Sequence, residues 1–320
     1  MEQIQIWGLG CMRLIQGWAS PPLTAFMEVV DGLGSVNVYL LLIPFVYWCV
    51  GEKKALRMGT ALLVSVWLNI LLNYLLNQQR PFFTAFDSPA VLPGGFPSGR
   101  VQNALVVWMI AASWGAAPSG AASPGKKKGL YAAALVFCLL LGFSRVYLGA
   151  DFPADVLGGW LLGALIFCLY FFAGGWLEAL IEKRGPRAGL AGCAALSFLM
   201  ILYRPAPELL ITGGMFLGLG AGYFLCWRYA GFAASSLSGK TGMARYFNLL
   251  VRLALGFTAM ALLYTATGKI IAALVRSGNF RLFVFLRFAL TALWASAGAP
   301  LLFRLLRLAE NKPPENRDNG

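Results

Sequence analysis

Residues 144–159 read SRVYLGADFPADVLGG. This short run sets Arg145, Asp151 and Asp155 around the junction of two apolar segments, 129–149 and 154–177, each long enough to cross a bilayer. Charge confined to the connection between two such segments is the pattern of a polytopic membrane helix bundle with a polar site at one end. Further apolar segments at 33–50, 56–77, 101–118, 188–203, 208–227, 248–273 and 282–305 bring the expected spans to nine. With 59% hydrophobic and 12% charged residues among 320, a soluble enzyme is excluded and an all-α membrane fold is expected.

The formal charge of +13 would point to nucleic acid in a soluble protein. In this chain the basic residues cluster in alternate connections: Lys53, Lys54 and Arg57; Lys126 to Lys128; Lys183, Arg184 and Arg187; Arg228, Lys240 and Arg245; and Arg304, Arg307, Lys312 and Arg317. The positive-inside rule assigns these to the cytoplasm, together with the C-terminus, so no nucleic-acid partner is expected. The connections 78–100 and 144–154 then face the extracytoplasmic side of an inner, plasma-membrane protein. Some of the cations are also placed to touch anionic headgroups.

The six cysteines are widely spaced and lack paired ligand spacing, and the chain contains no histidine, so no transition metal or other cofactor is expected, although carboxylates could still hold a hard cation. Glu2 and the lack of a basic leader argue against a cleaved signal peptide. The expected organisation is an amphipathic interfacial segment over 1–32, a membrane core over 33–203, a transmembrane extension over 204–308 and a disordered tail over 309–320.

Three blocks carry the chemistry: Arg80-Pro81, Pro97-Ser98-Gly99, and Ser144-Arg145 with Asp155. They resemble the signature of the type 2 phosphatidic acid phosphatase family, the lipid phosphate phosphatases related to vanadium haloperoxidases, over roughly residues 20–203. The family pattern runs K-x-x-x-x-x-x-R-P, P-S-G-H and S-R-x-x-x-x-x-H-x-x-x-D, and the spacings match without gaps. Asn73 stands at the lysine position, Arg100 and Asp151 at the two histidine positions. The resemblance implies a six-helix core with about three added C-terminal spans, and a lipid with a phosphate headgroup as partner. Whether the chain forms an oligomer is left open.

The same resemblance implies a phosphohistidine intermediate, a histidine acid for the leaving oxygen, and lysine and arginines around the phosphate. Without imidazole that route is closed. Carried over by position, Arg80, Ser98, Gly99, Arg100 and Arg145 form a phosphate-binding set, Asp155 keeps the orienting place, and Asp151 replaces the nucleophile. Arg100 either joins Arg80 and Arg145 on phosphate or pairs with Asp151 and plugs the pocket. The leading expectation is a pseudoenzyme that binds a lipid phosphate or pyrophosphate and transports, scrambles, senses or scaffolds it without hydrolysis. One alternative is an active phosphatase on a polyprenyl or diacylglycerol (pyro)phosphate, with Asp151 as nucleophile or as base for water. A structural membrane subunit is the other.

Several residues have blander explanations. Arg204, Arg276 and Arg281 read as headgroup anchors, and Arg252, Lys269 and Arg287 as snorkelling cations, with a polar cavity in the C-terminal spans as the sharper alternative. Glu28 and Asp31 read as caps before a helix, or else as lining of the outer mouth. The ten tryptophans and eleven tyrosines suit interfacial belts and helix packing. Asn69, Asn73 and Asn77 share one helix face as polar glue or as a hydrophilic wall. The small residues around Gly158 and Gly213 to Gly222 suit close helix packing.

Overall fold

Prolines open four of the helices, where their missing N–H costs nothing: Pro21, Pro124, Pro153 and Pro207 stand first in α2, α6, α7 and α8. In this computed structural model, which describes residues 2–78, 95–114, 124–203, 206–227, 243–274 and 280–309, the helices are α1 (Glu2–Gln16), α2 (Pro21–Leu33), α3 (Val36–Cys49), α4 (Glu52–Leu76), α5 (Gly99–Trp114), α6 (Pro124–Tyr147), α7 (Pro153–Leu202), α8 (Pro207–Leu225), α9 (Met243–Leu274), α10 (Phe280–Leu293) and α11 (Ala299–Leu305). A π-helical turn, Trp294–Gly298, joins the last two. Among the described residues there is no strand, as the apolar runs dictate: in lipid a helix satisfies its own backbone.

Among the described residues, six helices are long and apolar enough to cross a membrane, or seven if α2 and α3, bent by 48° at their junction, count as one span. The fold is that of an integral multi-pass membrane protein. The six differ from the nine apolar segments for identifiable reasons. Segments 154–177 and 188–203 both fall in the 50-residue α7, which is broken at Gly185, where φ is 79°. The described part of segment 101–118 ends at Trp114, giving a helix of 16 residues. Segment 33–50 becomes the 14-residue α3.

The chain divides into two compact units. Unit 1 comprises residues 1–40 and 64–173 and holds every described residue of the signature blocks. Its core includes Met12, Val101, Val146, Phe152 and Val156, and beside them Val30, Ala104, Leu105, Cys138 and Leu141. The amphipathic N-terminal segment is helical, but α1 does more than lie on an interface: Met12 is buried in the core, with Leu9 and Ile15 packed against it, while Ile6, Trp7 and Leu14 stay exposed.

Unit 2 comprises residues 41–63 and 174–320. Trp48 is fully buried there, edge-on to Phe257 and Phe303, and donates its indole N–H to the Ala295 carbonyl at 2.8 Å. Arg252 does not snorkel. Its side chain is buried and donates to the carbonyls of Trp48 at 3.1 Å and Leu308 at 2.6 Å. Trp48 stands in the last turn of α3 and Leu308 just past the end of α11, where helix geometry leaves carbonyls without an intrahelical N–H. Arg287 lies over the Tyr264 ring, 3.7 Å from its centroid, in a cation–π contact. Lys53 pairs with Glu182 at 3.3 Å and Arg57 with Glu178, so the basic ends of α4 and of the first part of α7 share one end of the unit.

Candidate functional site

The third block is built by the way α6 stops. Gly149 adopts a φ of 75°, a left-handed conformation that side chains disfavour. The backbone N–H groups of Ala150 and Asp151 then both turn back to the Arg145 carbonyl, at 2.9 and 3.3 Å. That reversal puts the Asp151 carboxylate over the guanidinium six residues earlier. Arg145 donates from Nε to Oδ2 at 2.8 Å and from Nη2 to Oδ1 at 3.2 Å, a bidentate pair. Both side chains are almost wholly buried. At the start of α7 the Asp155 carboxylate accepts the Phe152 N–H at 3.0 Å, and its carbonyl accepts the Ser98 N–H at 2.9 Å. Asp155 thus ties the third block to the second, and both of these bonds hold backbone.

Ser98 completes the junction, donating its hydroxyl to Asp151 Oδ2 at 2.6 Å. Behind it stands a ladder of buried amides and hydroxyls. Asn69 donates to the Pro97 carbonyl and to Gln102 Oε1, each at 2.9 Å. Gln102 donates to the Ser65 carbonyl and hydroxyl, and Ser65 donates to Asn103 Oδ1 at 2.7 Å. Asn73, at the lysine position of the signature, donates to both oxygens of Asn69, while its own buried Oδ1 meets no donor among the described residues. Polar glue and hydrophilic wall are therefore the same residues: the ladder bonds α4 to α5 and ends under the Pro97-Ser98-Gly99 turn.

Two glycines allow that turn to sit so deep. A Cβ on Gly99 would come within 2.6 Å of Asn69 Oδ1, and one on Gly159 within 2.6 Å of the Ser98 carbonyl. Truncating Asn69 should therefore loosen the turn. Asn69→Ala leaves two buried acceptors without their donor, and at about 1–3 kcal/mol for each such group the variant is expected to melt several degrees below the wild type in detergent. An unchanged melting temperature would show that the ladder does not support the turn.

The pairing of Arg100 with Asp151, one of the two arrangements expected, is not formed, because Asp151 is held by Arg145 and Ser98. Arg100, at the start of α5, pairs with Asp31 near the end of α2, and Asp31 also accepts from Arg145 Nη1 at 3.2 Å. Asp31 is thus neither a helix cap nor simple mouth lining but a bridge between two guanidinium groups of the site. Sequence reasoning underrated it because nothing local marks an acid on α2 as the partner of arginines 69 and 114 residues away. Arg80 lies outside the described residues. Among those described, Ser98, Gly99, Arg100, Arg145, Asp151, Asp155 and Asn73 do converge, and the two guanidinium groups pair with the carboxylates of Asp31 and Asp151. No group of three or more histidine, cysteine or carboxylate side chains among the described residues is placed to hold a metal ion.

Residues 54–179 match the PAP2 superfamily, and residues 210–311 match the PAP2 superfamily phosphatase transmembrane extension. The chain belongs to the PAP2 superfamily. It is 32% identical over 142 residues to the undecaprenyl-diphosphatase of Sulfolobus acidocaldarius, covering 42% of this chain and 60% of that protein. It is 38% identical over 102 residues to phosphatidylglycerophosphatase B of Bacillus subtilis, covering 32% and 49%. Thus the chain spans only about half to three-fifths of the length of these relatives. Among solved structures, a transmembrane PAP2-type phosphatidylglycerolphosphate phosphatase from B. subtilis aligns with a TM-score of 0.48 at 28% identity, over 56% of this chain and 88% of that one.

These relatives overturn the expectation of a pseudoenzyme that carries, senses or scaffolds a lipid without hydrolysing it, since both are phosphatases by name. That expectation rested on the missing imidazoles alone. A hydrolytic route needs an anion cradle and a proton acceptor at the phosphorus, and a carboxylate can fill the second role where histidine is absent.

Proposed function

We propose that this chain is a lipid phosphatase that removes the terminal phosphate of a membrane lipid, with a lipid pyrophosphate as its preferred substrate. The observation that carries it is the buried convergence of Ser98, Arg145 and Asp151 at matched signature positions. Arg145, Arg100, Ser98 and the Gly99 backbone N–H hold the phosphoryl oxygens, joined by Arg80 from its place in the signature. Asp151 is the base: water attacks phosphorus, its proton passes to the carboxylate, and the bond to the leaving oxygen breaks with its electrons on that oxygen. Both Asp151 oxygens accept from Arg145, which suits a carboxylate fixed to take a proton better than one that must swing onto phosphorus. Asp155 positions the turn that carries Asp151.

The absence of imidazole sets the substrate preference. An alkoxide leaving group needs a proton as it departs, whereas a leaving lipid phosphate is stable without one. The purified chain in detergent is expected to release orthophosphate from a polyprenyl diphosphate at least tenfold faster than from the matching monophosphate. Release from neither would end the proposal. We also infer that the site faces outward, since α4 and α6 each carry a basic cluster, Lys53-Lys54 and Lys126 to Lys128, about 30 Å of helix from Asn73 and Arg145. In oriented vesicles, substrate added on the extracytoplasmic side should then be turned over, and turnover from the other side alone would reverse the topology.

A further inference from the structure

Asp31 stands on α2, outside residues 54–179 that match the superfamily, yet it occupies the heart of the cation pair. Arg145 gives Nε and Nη2 to Asp151, which leaves Nη1 as the group it turns to Asp31. Arg100 gives its Nη1 to the other Asp31 oxygen. The Arg100 side chain is 37% exposed and that of Asp31 15%, against 5% for Arg145, so Asp31 sits on the open side of the site. A carboxylate that spans two guanidinium groups fills the place two phosphate oxygens would take.

Resting on the phosphate-binding role of Arg100 and Arg145 proposed above, we propose that Asp31 is a specificity-determining residue, an intramolecular anion that keeps phosphodiester headgroups off the arginine pair and yields to a terminal phosphate. A membrane surrounds this site with phosphodiester lipids, each carrying one negative charge shared between two oxygens. Such a group offers Arg100 and Arg145 no more charge than Asp31 does, and it must compete with a carboxylate tethered in place at high effective concentration. A terminal phosphate or diphosphate brings about two charges and a third free oxygen, so its attraction to the pair is roughly doubled at equal distance. Exchange is favourable for that class of ligand alone. Without Asp31 the pair would be open to the bulk lipid.

The test compares inorganic pyrophosphate with dimethyl phosphate as ligands of the purified chain in non-ionic detergent, by thermal melting and by titration calorimetry. Wild type is expected to be stabilised by pyrophosphate and not by dimethyl phosphate at equal concentration. Asp31→Asn is expected to bind pyrophosphate at least tenfold more tightly and to gain binding of dimethyl phosphate, and Asp31→Glu to restore the discrimination. In mixed micelles, phosphatidylglycerol should raise the KM of Asp31→Asn with its kcat unchanged and leave that of wild type unaffected. Equal protection of wild type by the two ligands overturns the assignment even if Asp31→Asn cannot be folded, and so does an unchanged ligand ratio in Asp31→Asn. The binding arms need no turnover: a chain that binds and discriminates without releasing phosphate keeps the role of Asp31 and refutes the hydrolytic proposal, whereas no binding of pyrophosphate by any variant refutes both.

Discussion

Asp151→Asn is expected to lower phosphate release by about 10²–10⁴-fold, the range a positioned general base contributes. The substitution preserves shape. The amide oxygen can still accept from Ser98 or Arg145, but the proton acceptor is gone, and Arg145 keeps only Asp31 as an anionic partner. Removing one member of a buried ion pair costs about 3–5 kcal/mol when nothing replaces it, so the variant should also melt earlier than wild type. The two effects separate cleanly. Melting measures the lost pairing, whereas release per folded molecule, measured well below the melting temperature, measures the lost base. Activity that survives in folded Asp151→Asn would remove Asp151 from the chemistry. Arg145→Gln should be at least as damaging, because it strands Asp151 and Asp31 together.

The parts of the site that were legible in the sequence are those fixed by short spacings. Arg145 and Asp151 lie six residues apart around a helix end, and the left-handed Gly149 is what turns that spacing into a bidentate pair. Asn69 and Asn73 lie one helical turn apart, so their shared face follows from the 3.6-residue period. Asp31 was not legible in the same way, since its meaning depends on where α2 packs, and packing partners are not written in local pattern. Arg252 failed for a related reason. A lone cation in an apolar run is expected to reach for water, but here two helix-end carbonyls meet it inside the protein. The leading functional expectation failed differently: the loss of two histidines shows which mechanism is closed, and says nothing about whether another carboxylate or hydroxyl at the same place keeps the reaction open.

Gly218→Val is expected to be the most damaging single change in unit 2. Gly214, Gly218 and Gly222 repeat every four residues along one face of α8. A Cβ at these positions would lie 2.5 Å from the Phe285 carbonyl, 2.1 Å from the Ala289 carbonyl and 2.0 Å from Ser296 Oγ. The neighbour at the first two is backbone of α10, which cannot rotate away as a side chain can. Between membrane helices there is no hydrophobic effect to hold a loosened pair together, because lipid is as apolar as the side chains, so close packing supplies much of the association. Ser296 adds to it, donating to the Gly218 carbonyl at 3.2 Å. Moving α10 away by an ångström or more forfeits that contact along the whole stripe, for a cost of about 3 kcal/mol. Gly218→Ala should already lower the melting temperature in detergent, and Gly218→Val should leave little folded protein. Gly192→Ala is the matched control in the same unit, since a Cβ there meets nothing within 4 Å, and it is expected to be neutral or slightly stabilising. Equal melting of Gly218→Ala and Gly192→Ala would mean that α8 and α10 do not approach this closely in the bilayer.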